Sequence, residues 1–416
     1  MTAPTGTTSP ASHSPASPPY LERGSRSYWR ASVALLFAGY ATFSLLYYVQ
    51  PLLPEFSAAF GASPAQSSLA LSFSTAALAA AVFVAGFVSE GLSRHRLMTA
   101  SLTLASLLTL VAAFAPHWHQ MLVLRALTGL ALGGVPAVGM AYLAEEVHPD
   151  GLGLAMGLYV GGNAIGGMSG RVIAGVLADL FTWRVAVGTI GVLGLASTLA
   201  FRALLPPSRH FTPRRGLGFA HHRAALARHL AGRRELPVLF AMGFMLMGGF
   251  VTLYNYVGYR LLAPPYSMNQ ATIGAIFAVY LVGVFASPWS GRMADSFGRG
   301  RVLIASVVVM LAGAALTLLQ PVAAIAFGIA CVTFGFFAGH STASGWVGRL
   351  ATQGKGQAAA LYLLSYYLGS SVVGSLGGRF WSTHGWPGVV ALVAGLLVVG
   401  FAAAVWLRGR ERSGAA

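Results

Sequence analysis

Three side chains able to carry charge sit deep inside apolar stretches of this 416-residue chain: Arg125, Arg171 and His340. A guanidinium stays charged at any working pH. At the centre of a membrane helix it costs about 2.5–3.5 kcal/mol on insertion scales. Each arginine therefore needs carbonyls, aromatic faces or an anion around it. Arg125 shares a helical face with Gly129, Gly133 and Pro136. It reads either as a functional charge or as a pin on neighbouring carbonyls. Arg171, with Gly167 and Asn163 on one face, reads as a substrate contact, or as a side chain that snorkels outward or pairs with Asp179. His340 titrates near neutral pH and reads as a proton carrier or as a hydrogen-bonded packing residue. No carboxylate is expected at midspan. Glu90, Glu145, Glu146 and Asp295 fall at one set of helix ends, Glu55 and Asp179 at the other.

A second group of polar residues comes from two runs only. Tyr40, Tyr47, Tyr48 and Gln50 lie in the first, and Tyr254, Asn255 and Tyr256 in the seventh. Facing a cavity, they suit a moderately polar or aromatic solute; some of the tyrosines otherwise belong to an interfacial belt. Enzyme signatures are missing. His117-Trp118-His119 has no carboxylate or cysteine beside it, the H-E-x-x-H, Walker and GxSxG patterns do not occur, and no stretch could house an ATPase domain. No cofactor and no metal is expected.

The elements that position these residues follow from composition. Hydrophobic residues make up 56% and charged residues 9%, against about 25% charged in soluble domains. A membrane span takes about 20 apolar residues. Runs of that kind are expected at 29–52, 66–90, 97–115, 119–142, 153–177, 184–205, 236–259, 270–290, 302–319, 322–346, 357–380 and 387–407. The fold class is therefore an all-α membrane protein with twelve transmembrane helices. A net charge of +16 would suggest nucleic acid in a soluble protein, but its distribution excludes that. Arg23, Arg26, Arg94, Arg96, Arg299, Arg301 and Arg408 fall in alternate segments, whereas the intervening loops offer only Arg184 and Arg260. Both termini are expected in the cytoplasm. Residues 1–28 read as a disordered tail without a signal peptide, 207–235 as a basic linker along an anionic surface, and 408–416 as a second tail. The single cysteine, Cys331, allows no disulfide within the chain.

The chain repeats itself. Gly291-Arg-Met-Ala-Asp295-Ser-Phe-Gly298-Arg299-Gly-Arg301 has a degraded copy in Gly86-Phe-Val-Ser-Glu90-Gly-Leu-Ser-Arg94-His-Arg96. In both, an acid follows a glycine by four residues, and arginines follow the acid by four and six. Asn255-Tyr256-Val257 stands against Tyr47-Tyr48-Val49, and Leu361-Tyr362 against Leu158-Tyr159. Two six-helix, pseudo-symmetric halves are expected, at 29–206 and 236–407.

The repeated loop resembles the GxxxD(R/K)xGR(R/K) signature of the major facilitator superfamily, with Glu for Asp and Ser93 for glycine in the first copy. Arg125 resembles the arginine of that family's span-4 antiporter motif, tied there to proton coupling. The glycines from Gly157 to Gly170 resemble the span-5 motif of its proton-driven exporters, with Met168 in place of the usual proline. Tyr47-Tyr48-Val49-Gln50-Pro51-Leu52-Leu53-Pro54 is similar to bacterial inner-membrane drug and sugar exporters, arabinose-efflux-like permeases included. The resemblance implies alternating access and proton-coupled export of a small organic solute by a monomer in the bacterial inner membrane. Uptake of an organic anion and a transporter-like receptor that does not turn over are the alternatives. Expected substrate contacts are Tyr47, Gln50, Asn163, Arg171, Asn255 and Tyr256; expected coupling residues are Arg125 and His340. Expected gate residues are Glu90, Arg94, Glu145, Asp295 and Arg299. Glu90 is expected near Gly356, Arg94 on Glu145 or Glu146, and Asp295 near Gly151.

Overall fold

In the computed structural model, residues 20–88, 93–211, 233–351 and 355–413 are described, and among them the secondary structure is almost entirely helical. The first half holds α1 (Arg26–Tyr47), α2 (Val49–Phe60), α3 (Pro64–Val88), α4 (Arg94–Ala112), α5 (Trp118–Leu132), α6 (Pro136–Glu146), α7 (Pro149–Leu180) and α8 (Trp183–Leu204). The second holds α9 (Glu235–Leu262), α10 (Gln270–Ile276), a 3₁₀ turn (Phe277–Leu281), α11 (Val282–Phe297), α12 (Arg299–Leu316), α13 (Val322–Leu350) and α14 (Lys355–Arg412). The expected all-α membrane class is what forms.

The breaks have chemical causes. Proline lacks an N–H, and its ring clashes with the carbonyl four residues back. Pro51 accordingly follows the α1–α2 break at Tyr48, and Pro136 opens α6 after the interruption at Gly133-Gly134-Val135. Helix α14 has 58 residues, about 87 Å if straight and close to three hydrocarbon thicknesses. It is bent instead at Gly385, whose φ of 60° and ψ of −150° suit glycine, just before Pro387.

Nine stretches among the described residues are long and apolar enough to cross a membrane. The bent α14 counts as one of them. The α5–α6 run is divided, and α7 is long enough but diluted by glycines and Arg171. Two helix ends lie outside the expected spans: α1 starts at Arg26, and α14 stays helical to Arg412.

Glycine sets the closest crossings. A methyl group at Gly166 would collide with the Tyr40 carbonyl where α7 crosses α1. One at Gly369 would collide with the Phe244 carbonyl where α14 crosses α9. In lipid, where close packing replaces the hydrophobic drive between helices, the two halves thus share one crossing.

The halves run in register. Gln50 meets Asn255 and Ser57 meets Tyr259, so α1–α2 and α9 rise in parallel and start on the same face, that of the two chain ends. The first helix begins beside the end of α8, where Arg30 donates to the Ala203 carbonyl at 3.0 Å. The last ends beside the start of α9, where Arg410 pairs with Glu235 at 2.8 Å.

Candidate transport site

Arg125 and Arg171 are both fully buried, and their surroundings differ. Arg125 donates through Nε to the Ala70 carbonyl (3.1 Å), through Nη1 to Leu45 (2.9 Å) and through Nη2 to Leu46 (2.7 Å). The ring of Tyr48 lies 5.0 Å from its guanidinium carbon. Leu45 and Leu46 directly precede the break at Tyr48. Arg125 therefore staples the bent first span to α3 and α5, and each of its three nitrogens has an acceptor.

Arg171 sits about 13 Å from the far end of α7 at 1.5 Å per residue. Its Nε donates to Gln50 Oε1 at 2.6 Å and its Nη1 to the Gly167 carbonyl; Nη2 has no hydrogen-bond partner. Four rings surround the guanidinium: Tyr47 at 4.7 Å, Tyr280 at 4.9 Å, and Tyr254 and Phe277 at 5.7 Å. Gln50 passes the contact onward, its Nε2 donating to Asn255 Oδ1 at 2.8 Å. Asn255 belongs to the other half, so the chain Arg171–Gln50–Asn255 spans both. The structure does not pair Arg171 with Asp179. Asp179 instead accepts from the Gln270 amide and from Asn269 Nδ2, each at 3.2 Å.

The other expected contacts divide. Tyr47 is buried against Arg171, with its hydroxyl unpartnered. Asn163 is half-buried about two turns away along α7, its Oδ1 also unpartnered. Tyr256 stands outside this cluster: its hydroxyl donates to the Gly374 carbonyl at 2.8 Å and its ring stacks on Trp381. His340 is half-buried, with Nδ1 2.9 Å from the Tyr362 hydroxyl and its ring 4.7 Å from that of Tyr366.

Among the described residues, the hydrogen bonds found between the halves lie between midspan and the ends far from the chain termini. Gln270 Nε2 donates to Glu55 at 3.1 Å, Tyr259 donates to the Leu53 carbonyl at 2.9 Å, and Ser371 and Ser375 bind Ser72 at 2.8 and 2.7 Å. With the Gln50, Ser57 and Asp179 contacts, these are the inter-half hydrogen bonds found among the described residues. All involve residues within about 21 Å of the far helix ends, Ser371 being the deepest. Towards the chain ends, the bonds found among the described residues stay within a half. Arg94 binds Glu145 in a two-pronged pair (Nη2–Oε1 2.8 Å, Nε–Oε2 3.3 Å), and Arg299 meets Asp295 at 3.4 Å.

This geometry corrects one expectation. Asp295 is exposed and turned to Arg299, while the Gly151 carbonyl accepts from Tyr28 at 2.9 Å. Glu90 lies outside the described residues. Glu146 is not an Arg94 partner among the bonds found; its Oε1 accepts from the backbone of Arg209 and His210 at 2.8 and 2.9 Å, holding the start of the linker.

Several participants escaped sequence reading. Ser72, Ser371 and Ser375 look like packing residues in apolar helices. Phe277 and Tyr280 carried a usable signal, three residues apart on one helical face. Glu411 caps α12, accepting from the Arg299 and Gly300 amides at 2.9 Å each; it lies past the expected end of the last helix.

The profile of the Major Facilitator Superfamily matches residues 31–262 and 239–416. The chain belongs to that family. It is 46% identical over 390 residues to an uncharacterized MFS-type transporter, YybF, of Bacillus subtilis, covering 94% of this chain and 95% of that one. It is 47% identical over 383 residues to the inner membrane transport protein YnfM of Escherichia coli, covering 91% of each. Among solved structures it is similar to the nucleoside transporter NupG (TM-score 0.72, 15% identity, 90% and 99% coverage). It is also similar to a bacterial homologue of the human lysosomal transporter Spinster, captured inward-facing and unoccupied (TM-score 0.66, 14% identity, 92% and 95% coverage). At those identities the likeness concerns the fold alone. This major facilitator protein is a multi-pass membrane transporter and not an enzyme.

Proposed function

We propose that this chain is a secondary carrier of the bacterial inner membrane, moving a small organic solute by alternating access through twelve crossings, with protons as the driving ion and export as the direction. The observation that carries the alternating-access reading is the uneven joining of the halves: among the described residues, every bond found between them lies at midspan or towards the far ends. With both termini in the cytoplasm, as the arginine distribution supports, this is a cytoplasm-open state. Transport requires the far bonds to break as the Arg94 and Asp295 ends close.

Arg125 serves this scheme as a staple at the bend of the first span. The proton passes through a group that can titrate: His340, a carboxylate at the far mouth such as Glu55 or Asp179, or the acid group of the solute. A second reading, uptake of an organic anion, draws on buried arginines with no midspan carboxylate; it shares the site and differs in direction.

The test is solute-dependent proton movement in proteoliposomes loaded with a pH dye and offered sugars, cationic drugs and organic acids. Proton flux opposite to a solute supports antiport, and flux along with it supports uptake by symport. Solute movement without proton movement removes the proton from the scheme, and binding without flux makes the protein a receptor.

A further inference from the structure

Resting on the carrier reading above, we infer that the solute is an aromatic carboxylate whose acid group binds Arg171 by displacing Gln50. A guanidinium has five N–H donors in a planar fork that matches a carboxylate. Arg171 uses one nitrogen on Gln50 and another on Gly167, and leaves Nη2 unmatched in a site with no solvent exposure. No carboxylate pairs with it among the described residues. Surrounding rings offset part of the buried charge, since each cation–π contact is worth only about 0.5–2 kcal/mol, while burying an unpaired ion costs several kcal/mol. An anion supplies what this site lacks. Arg125, under the same burial, has an acceptor on every nitrogen and makes no such demand.

The rings determine the rest of the solute. Tyr280, at the guanidinium, meets Phe337 edge-on at 5.0 Å, and Phe337 meets Phe336 at 5.0 Å. Phe336 stacks on His340, and His340 faces Tyr366. An aromatic track thus leads from Arg171 to the half-buried His340, suited to a flat ring by offset and edge contacts.

Access has a built hinge. Phe277 and Tyr280, two of the four rings over Arg171, lie on the 3₁₀ turn Phe277–Leu281, interrupting the helix from Gln270 to Phe297. A mid-helix 3₁₀ turn is a common hinge, and bending there lifts both rings. Displacement of Gln50 has a consequence across the molecule. Gln50 Nε2 holds Asn255 of the other half, so an acid that takes Arg171 from Gln50 loosens a bond that keeps the far side shut.

The experiment uses full-length protein in phosphatidylcholine nanodiscs, whose zwitterionic lipids add no net anionic competitor. Benzoate, phenylacetate and salicylate are each compared with the neutral amide by thermal shift and calorimetry. The expected result is that at least one acid binds at least about tenfold more tightly than its amide, and that Arg171→Gln abolishes the difference. Arg171→Lys keeps the charge without the fork and is expected to fall between the two. Gln50→Ala, with Arg171 intact, is expected to tighten acid binding, since the competitor is gone; a purely structural Gln50 would weaken it or leave it unchanged. Equal binding of acids and amides overturns the inference. So does absence of binding by all three acids to the wild-type protein, or acid binding in Gln50→Ala that is no tighter than in the wild type. If the carrier reading alone is wrong, acid binding and its dependence on Arg171 persist without flux.

Discussion

Arg125 and Arg171 are the same residue type at similar burial, and the count of acceptors separates them. With all three nitrogens on carbonyls of other elements, Arg125→Ala should lower stability by roughly 3–5 kcal/mol, the usual cost of breaking a buried charged network. Counterflow and gradient-driven flux should then fall together, in line with the amount of folded protein. A variant that folds normally and loses only driven flux would make Arg125 a coupling residue instead. His340 has a different expectation. It touches Tyr362 and Tyr366 inside one half, so His340→Gln should fold, retain counterflow and lose most pH-driven flux. Undiminished driven flux in that variant would move the proton to Glu55, Asp179 or the solute.

At the scale of elements, the start of α10 is where the second half fastens to the far end of the first. Gln270 donates its amide to Asp179 on α7 and its side chain to Glu55 on α2. Gln270→Ala removes only the side-chain bond, worth about 1.5–3 kcal/mol when the acceptor is charged. The expected result is faster labelling, by an external thiol reagent, of a cysteine placed at Asn163, with a melting temperature lowered by a few degrees. Unchanged labelling would place the far gate elsewhere. The turn between α11 and α12 gives a second prediction. Gly298 has φ of 90°, a region that side chains rarely adopt. Gly298→Ala should cost about 1–2 kcal/mol and loosen the capping of α12 by Glu411, read as a lower melting temperature.

At the scale of the molecule, the proposed mechanism has the two halves pivot about contacts that exchange sides. Ser72 and Ser375 touch across the halves with hydroxyls 2.7 Å apart, close enough for sulfurs at those positions to bond. In a background with Cys331 replaced, the Ser72→Cys/Ser375→Cys variant should cross-link under oxidation and stop transport, with recovery on reduction. Cross-linked protein that transports at the normal rate would exclude rocking of the halves as the transport motion.

Much of this was legible in the chain itself. Low charge content and long apolar runs dictate a helical membrane protein, because only closed hydrogen bonding survives in lipid. The duplicated Gly-acid-Arg loops point to two related halves, and the intramembrane Arg125, Arg171 and His340 stand out because charge is costly there. Prolines 51, 136 and 387 mark where spans bend. What the chain alone leaves open is which acceptor each buried donor meets. That depends on side chains hundreds of positions apart, as with Gln50 and Asn255, or Ser72 and Ser375. Only packing shows that Arg125 is satisfied by the carbonyls of Ala70, Leu45 and Leu46, that Arg171 keeps an unmatched nitrogen inside four rings, and where among the described residues the two halves bond. Asp295 shows the limit: its sequence neighbourhood specifies a loop motif, but whether it reaches the other half depends on the position of the halves, which local sequence does not encode.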